Sequence, residues 1–383
     1  MEKKKIKIGF IHFDGLHILH HFVGAVSELY KDPDCEVDIL TPETNQEYLY
    51  YLLSVLKVPN NVVKKLPTFF YKKIAYKIQN RSKPSNQYIF KKHKKMLAKY
   101  DILVFNVFTH MHIERVGRDP KFVFLMHGAG DRDYPFLKEF YEPISKFDLI
   151  TTAGNKIDDL FKTMGDFEFT KFKSCGYQKI DIVTVENKNK QLFKNEKTTV
   201  LYNPHFKDHI TSYNKFGKDI LDFFLNNKDY NLVFAPHINL FDESIKKALQ
   251  RNTIEDKYFN QSNIIIDFGS VNSVNMAYTM IADVYLGDSS SQVYEFLLKK
   301  SKPCVFLNAH SINWKDDKHY QNWHLGKVIE NMDNLKEILD TRNTWQKEFE
   351  QKQRKAIDYT FDLSDEISSS KRVANAIKAL VNK

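Results

Sequence analysis

The stretch IADVYLGDSSSQVYEFLLKKSKPCVFLN, residues 281 to 308, decides the fold. Its opening apolar run stops at Gly287 and Asp288, which marks a short buried strand. Three serines follow, then QVYEFLLKK with helical spacing beginning near Ser291, and after Lys302 and Pro303 the run CVFLN reads as another strand. Strand, turn, helix and strand in so few residues make a βα unit of a parallel sheet.

Working outward, the same alternation repeats. Upstream in this series stand strand candidates at 198 to 204 (TTVLYNP), 231 to 237 (NLVFAPH) and 263 to 269 (NIIIDFG), beside 283 to 288 and 302 to 308. An earlier series runs 6 to 13, 35 to 40, 101 to 108, 121 to 127 and 148 to 154. Between the series, ENKNKQLFKNEK (186 to 197) is polar and reads as a linker. The expected fold is α/β and GT-B-like, two Rossmann-like doubly wound domains facing a cleft. Its parts are an N-terminal domain over 1–185, the linker 186–197, a nucleotide-donor domain over 198–355, and a C-terminal helix in 356–383 returning to the first domain. At 383 residues, two domains suit the length.

Composition narrows the function classes. The chain is 42% hydrophobic and 27% charged, a folded composition rather than a disordered or fibrous one. It shows no run of about 20 apolar residues, and MEKKKIKIGFIHF has no signal-peptide core, so a cytoplasmic location is expected. Cys35, Cys175 and Cys304 lie far apart and form no CxxC pair, which argues against a disulfide framework or thiolate zinc. The net charge is +9, yet the acid-free window from Lys64 to Lys99 holds twelve Lys and Arg, so the remainder is slightly acidic. One local patch for an anionic surface fits better than a nucleic-acid coat.

Ligands of doubly wound sheets bind outside the carboxyl ends of the strands. Those ends deliver His12, His110, His112 and His127 with Gly128 in the first series, and His205, His237, Asp267, Asp288 and Asn308 in the second. Ser289, Ser290 and Ser291 combine hydroxyls with the amides of a new helix, which suits a phosphate; simple N-capping needs one serine rather than three.

The segment 281 to 308 also resembles the C-terminal signature of the CDP-glycerol glycerophosphotransferase family, the teichoic-acid-type polyol-phosphate transferases. It carries Gly287, Asp288 and the serines, then Tyr294, Glu295 and Phe296, with Ser289 where the family has Tyr. In matching order, LMHGAGDRD (125 to 133) resembles the family's His-Gly motif, LYNPHF (201 to 206) a strand, FAPH (234 to 237) a strand ending in His, and HYQNWHLGKVI (319 to 329) a late aromatic-Gly segment. The resemblance implies transfer of glycerol or ribitol phosphate from CDP-glycerol or CDP-ribitol to a hydroxyl of a lipid-linked or polymeric glycan, with CMP released, in teichoic acid or capsule synthesis. No tightly bound cofactor or metal is expected. His127 and His237 are the candidate catalytic residues, His127 as general base and His237 on the donor phosphate. Asp288, Ser289, Ser290 and Ser291 are candidates for the donor phosphate, and His12, His17, Gly128, Asp131 and His205 for the acceptor side.

Other readings stand beside this one. A GT-B glycosyltransferase or a UDP-sugar 2-epimerase places a phosphate turn similarly, although the epimerase form prefers D-S-G-G. His17, His20 and His21 have metal-compatible helical spacing without a third ligand, and Asp131 with Asp133 forms a DxD pair. Lys72, Lys73, Lys77, Arg81, Lys91, Lys92, Lys94 and Lys95, interleaved with aromatics, make 64–99 a candidate insert lying on the anionic inner face of the membrane. A basic membrane-surface or nucleic-acid-binding protein without catalysis would use the same segment, but leaves the strand-end histidines idle.

Overall fold

The computed structural model describes residues 4–13, 15–42, 46–68, 85–129, 138–241, 254–363 and 366–381. The chain divides into two compact units, 1–186 with 359–383, and 187–358.

Among the described residues, the first unit holds a seven-stranded parallel sheet. Its strands are β1 (Ile6–Ile11), β2 (Cys35–Pro42), β3 (Val63–Leu66), β4 (Ile102–Phe105), β5 (Lys121–Leu125), β6 (Leu149–Thr152) and β7 (Lys171–Ser174). They are ordered β3-β2-β1-β4-β5-β6-β7. The order reverses between β1 and β4, the position where such sheets open a crevice at their carboxyl ends. The interior strand β4 is wholly apolar, as a strand covered on both faces must be: Ile102, Leu103, Val104 and Phe105 are all buried. The helix Ser369–Lys378 closes this unit. Ser368 caps it by accepting from the Lys371 amide at 3.2 Å, its Ser370 amide donates to Asp181 at 2.7 Å, and Lys378 reaches Asp32 and Asp34. Val373, Ala374, Ala376 and Ile377 of that helix join the core formed by Leu19, Phe22, Val23 and Val26.

The second unit repeats the plan with six parallel strands. These are β8 (Thr198–Asn203), β9 (Tyr230–Phe234), β10 (Ile264–Ile266), β11 (Val284–Gly287), β12 (Cys304–Leu307) and β13 (Lys327–Ile329), ordered β10-β9-β8-β11-β12-β13. The reversal falls between β8 and β11. Gly287 sits there because the strands approach so closely that a Cβ would lie 2.8 Å from the Asn203 carbonyl oxygen.

The five strands expected in each half are present. β3, β7 and β13 were not anticipated, and all three are outermost. β3 also corrects the reading of 64–99 as one surface insert: Lys64 and Lys65 belong to a strand paired in register with Leu40 and Thr41 of β2. The same segment ends in the helix Asn86–Leu97, whose Ile89, Phe90 and Leu97 are buried. Lys72, Lys73, Lys77 and Arg81 lie outside the described residues, as do Gly130, Asp131 and Asp133.

Candidate functional site

In the first unit the site grows from the carboxyl ends of β1 and β5. β1 delivers His12, buried with its ring 5.4 Å from Phe22. A 3₁₀ helix, Leu16–His21, follows; His17 is exposed on it, while His20 and His21 are buried. Beyond β5 comes His127, half-buried, followed by Gly128 at φ +86°, a left-handed turn that disfavours any side chain with a Cβ. The two elements bring His21 and His127 together, with ring centroids 5.8 Å apart. Tyr177 packs edge-on against His21 at 5.4 Å. Burial, first, and then Lys179, His127, His20 and His17 hold the His21 pKa well below the ordinary imidazole value. A neutral imidazole therefore faces His127.

His20 turns elsewhere. Its Nε2 lies 3.0 Å from Glu186 Oε2 and 3.0 Å from the Tyr48 hydroxyl, which donates to Glu186 Oε1 at 2.7 Å. The histidines of the 16–21 turn thus diverge instead of converging on an ion, and no metal-holding group of three His, Cys, Asp or Glu occurs among the described residues. Tyr48, Tyr177, Lys179 and Glu186 were not singled out from sequence. Tyr48 is more than a hundred residues from the other three, all four are far from the 16–21 turn, and Glu186 opens the segment read as a linker. His110 is structural: its ring packs 3.9 Å from Phe147, Nε2 meets the Pro143 carbonyl at 2.8 Å, and burial pushes its pKa down to about 4.

In the second unit the reversal between β8 and β11 is braced by Asp288. Its carboxylate is fully buried and accepts the backbone amides of His205 (2.7 Å) and Ser212 (3.0 Å). Asp288 is therefore not itself a phosphate ligand; it ties the turn after β8 to the end of β11. Burial raises its pKa to about 7, against the opposing hydrogen bonds from Ser212 and His205. Ser289 is also committed, since its hydroxyl donates to the His319 carbonyl at 2.8 Å, beside Asn322 Oδ1 at 3.1 Å. Asn322 in turn donates to the Ser290 carbonyl. These contacts correct the expectation that all three serine hydroxyls face an anion. Ser290 Oγ accepts the Gln292 amide at 3.3 Å, and Ser291 begins the helix Gln292–Leu297 without a side-chain cap bond.

His205 and His237 join these serines at neighbouring strand ends. Their rings lie 5.5 Å apart with Phe206 against both, at 4.7 and 4.5 Å. Each uses Nδ1 to accept an amide, His205 from Lys207 (3.1 Å) and His237 from Asn239 (3.2 Å). A neutral ring accepting at Nδ1 carries its proton on Nε2, so both can donate from that edge. Asp267, at the end of β10, is closed on itself. Burial would raise its pKa, but hydrogen bonds from Ser270, Tyr278 and Gly269 outweigh this and lower it.

Among solved structures, the chain is similar to the wall teichoic acid polymerase TagF, a histidine-to-asparagine variant soaked with CDPG. The match has 16% identity and a TM-score of 0.63, over all of this chain and 91% of that one. It is also similar to S. aureus MnaA in its UDP co-structure (14%, TM-score 0.61, 98% and 97%). A UDP-N-acetylglucosamine 2-epimerase from Listeria monocytogenes matches alike (14%, TM-score 0.61, 98% and 96%). At these identities the likeness establishes the GT-B-like fold of two parallel-sheet domains. No curated protein matches the chain. The family model for CDP-glycerol:poly(glycerophosphate) glycerophosphotransferase matches residues 43–379. Because that match spans most of the sequence and takes in His127, His237 and the serine turn, the chain belongs to this glycerophosphotransferase family and is an enzyme of polyol-phosphate transfer.

Proposed function

We propose that this protein transfers glycerol phosphate or ribitol phosphate from the CDP-polyol to a hydroxyl of a lipid-linked or polymeric glycan, releasing CMP, in cell-surface polymer synthesis. The observation that carries the reading is the close pair His21 and His127 at the strand ends of the first unit. The acceptor oxygen attacks the phosphorus bearing the polyol. The bond from that phosphorus to the oxygen shared with CMP breaks, and the acceptor proton passes to His127, which neutral His21 faces and does not compete with as a cation. On the donor side, His237 and His205, the latter reassigned from the acceptor side because its ring lies beside His237 and its amide on Asp288, offer Nε2–H groups to phosphate oxygens, and Ser290 and Ser291 add hydroxyls at the β8/β11 reversal. His12, His17 and Gly128 are assigned to the acceptor side.

Calorimetric titration with CDP-glycerol, CDP-ribitol, UDP-GlcNAc and CMP-sialic acid, followed by a CMP-release assay with the binder, tests this. Binding and turnover of one CDP-polyol are expected. Preference for UDP-GlcNAc would replace the reading with a glycosyltransferase or epimerase.

Peripheral attachment to an anionic membrane belongs to the same proposal. Among the described residues no helix is long and apolar enough to cross a membrane. The helix Asn86–Leu97 turns Phe90 inward, stacked 4.9 Å from Phe13, and leaves Lys91 and Lys95 exposed one turn apart. Lys92 and Lys94 are partly engaged, with the Pro67 carbonyl and Glu114 respectively. Co-sedimentation with anionic but not neutral vesicles, weakened by Lys91→Glu with Lys95→Glu and by salt, is the expected result. Indifference to lipid charge would remove the membrane role.

A further inference from the structure

Along the β1, β2 and β3 side of its sheet, the first unit contains a cavity of about 620 Å³, within the roughly 300–1,000 Å³ of ligand pockets. Its lining includes Lys7, Glu36, Asp38, Lys64, Lys65 and Lys99, with Tyr100 beside them. In register, Lys7 stands opposite Glu36, and Leu40 opposite Lys64. Parallel strands of doubly wound sheets are ordinarily apolar on both faces. Lys7, Glu36 and Asp38 on the interior strands β1 and β2 depart from that pattern, whereas lysine on the edge strand β3 does not.

The charges do not cancel. Lys7 lies 3.4 Å from Glu36, and Lys64 lies 3.6 Å from Asp38, which also accepts the Tyr100 hydroxyl at 2.8 Å. Lys65 and Lys99 have no ion-pair or side-chain hydrogen-bond partner among the described residues, so the cavity has two ammonium groups in surplus. Two exposed ammoniums on flexible stems suit spaced single charges, rather than a compact phosphomonoester that calls for converging amides or an arginine fork.

We propose that this cavity is an exosite for the polyanionic acceptor, with phosphodiester groups of a poly(polyol phosphate) chain laid across Lys65 and Lys99 while the chain end is at His127. The inference rests on the proposed transferase reading. Lys65, paired with Thr41 of β2, stands level with the end of β1 at two strand spacings, about 10 Å. Lys7 of the same lining lies five positions, about 17 Å at roughly 3.3 Å per residue, back along β1 from His12, so an acceptor laid along this lining covers about 10–17 Å. Only an acceptor longer than one repeat spans that distance, so the exosite favours long chains over short ones, and less so as salt rises.

The test compares steady-state kinetics of the full chain on lipid-free single-repeat and many-repeat acceptors, for wild type and for the double variant Lys65→Glu with Lys99→Glu. Both positions are exposed, and Lys65→Gln with Lys99→Gln serves as the milder control. The wild type is expected to show a lower KM for the long acceptor. In the double variant that KM rises about three- to tenfold, with kcat, the single-repeat KM and the donor KM unchanged, and the Gln pair lies between. Equal loss on both acceptors, or no loss, overturns the exosite. Loss of anionic-vesicle binding with unchanged kinetics on lipid-free acceptors also overturns it, giving these lysines to a membrane. A wild type that turns over a CDP-polyol without any preference for long acceptors sinks the exosite alone, whereas no turnover of any CDP-polyol sinks the transferase reading beneath it.

Discussion

The two units share one architecture and use it oppositely. At the strand ends of the first, imidazoles stand near one another and burial keeps His21 neutral, so the region is suited to moving a proton. At the strand ends of the second, a buried carboxylate, Asp288, holds two backbone amides and fixes a turn carrying hydroxyls and imidazole donors. The contrast teaches that a doubly wound sheet supplies only a place. Whether that place does acid–base work or rigid anion binding depends on which groups are desolvated and which amides they hold.

The comparison breaks most sharply at His127. His127→Ala should lower kcat by 10²–10⁴-fold, or about 3–5 kcal/mol of barrier, with donor affinity measured calorimetrically unchanged. If donor binding fell with it, the separation of proton transfer from phosphate binding would be wrong. Next comes Asp288→Ala, which strands the His205 and Ser212 amides and should cost about 2–4 kcal/mol in chemical denaturation. A loss well below 1 kcal/mol would mean that the brace is not what orders the reversal. Ser290→Ala with Ser291→Ala should weaken CDP-polyol binding by roughly 1–3 kcal/mol and leave the pH profile of turnover in place; unchanged affinity moves the phosphate elsewhere.

Per pH unit, the effect of titration is the smallest of these. Asp288 has its pKa raised from 3.8 to about 7, so the folded form holds an extra proton between those values, and its contribution to stability falls as pH rises through that window. Lys302 is buried, donates to the Thr279 and Ala282 carbonyls, and lies 3.9 Å above the Phe296 ring. Burial, then Lys300, lowers its pKa from 10.5 to about 7; the unfolded chain holds the extra proton there, and stability rises with pH from about 7 upward. Each slope is at most about 1.4 kcal/mol per pH unit. Denaturation across pH should show the lower arm flattened by Asp288→Asn and the upper arm by Lys302→Met. Arms that persist in both variants would assign the titration to other groups.

Much of this protein is determined by sequence alone. Buried interior strands such as Ile102–Phe105 must be continuously apolar, and the polar residues at which they stop mark the carboxyl ends, so His127, His205, His237 and Asp288 could be found without coordinates. The outer strands VKKL, KFKS and KVI could not, because short edge strands with solvated sides carry lysine, which reads as surface. Tertiary structure alone decided which polar groups face a ligand and which face the backbone. Ser289 and Asp288 look like neighbours of Ser290 in a phosphate turn, yet the nearby His319 carbonyl and the His205 and Ser212 amides claim them. The His20, Tyr48 and Glu186 network likewise joins residues far apart in the chain. Periodicity records how often a side chain is buried; the direction of a hydrogen bond depends on what folding brings beside it.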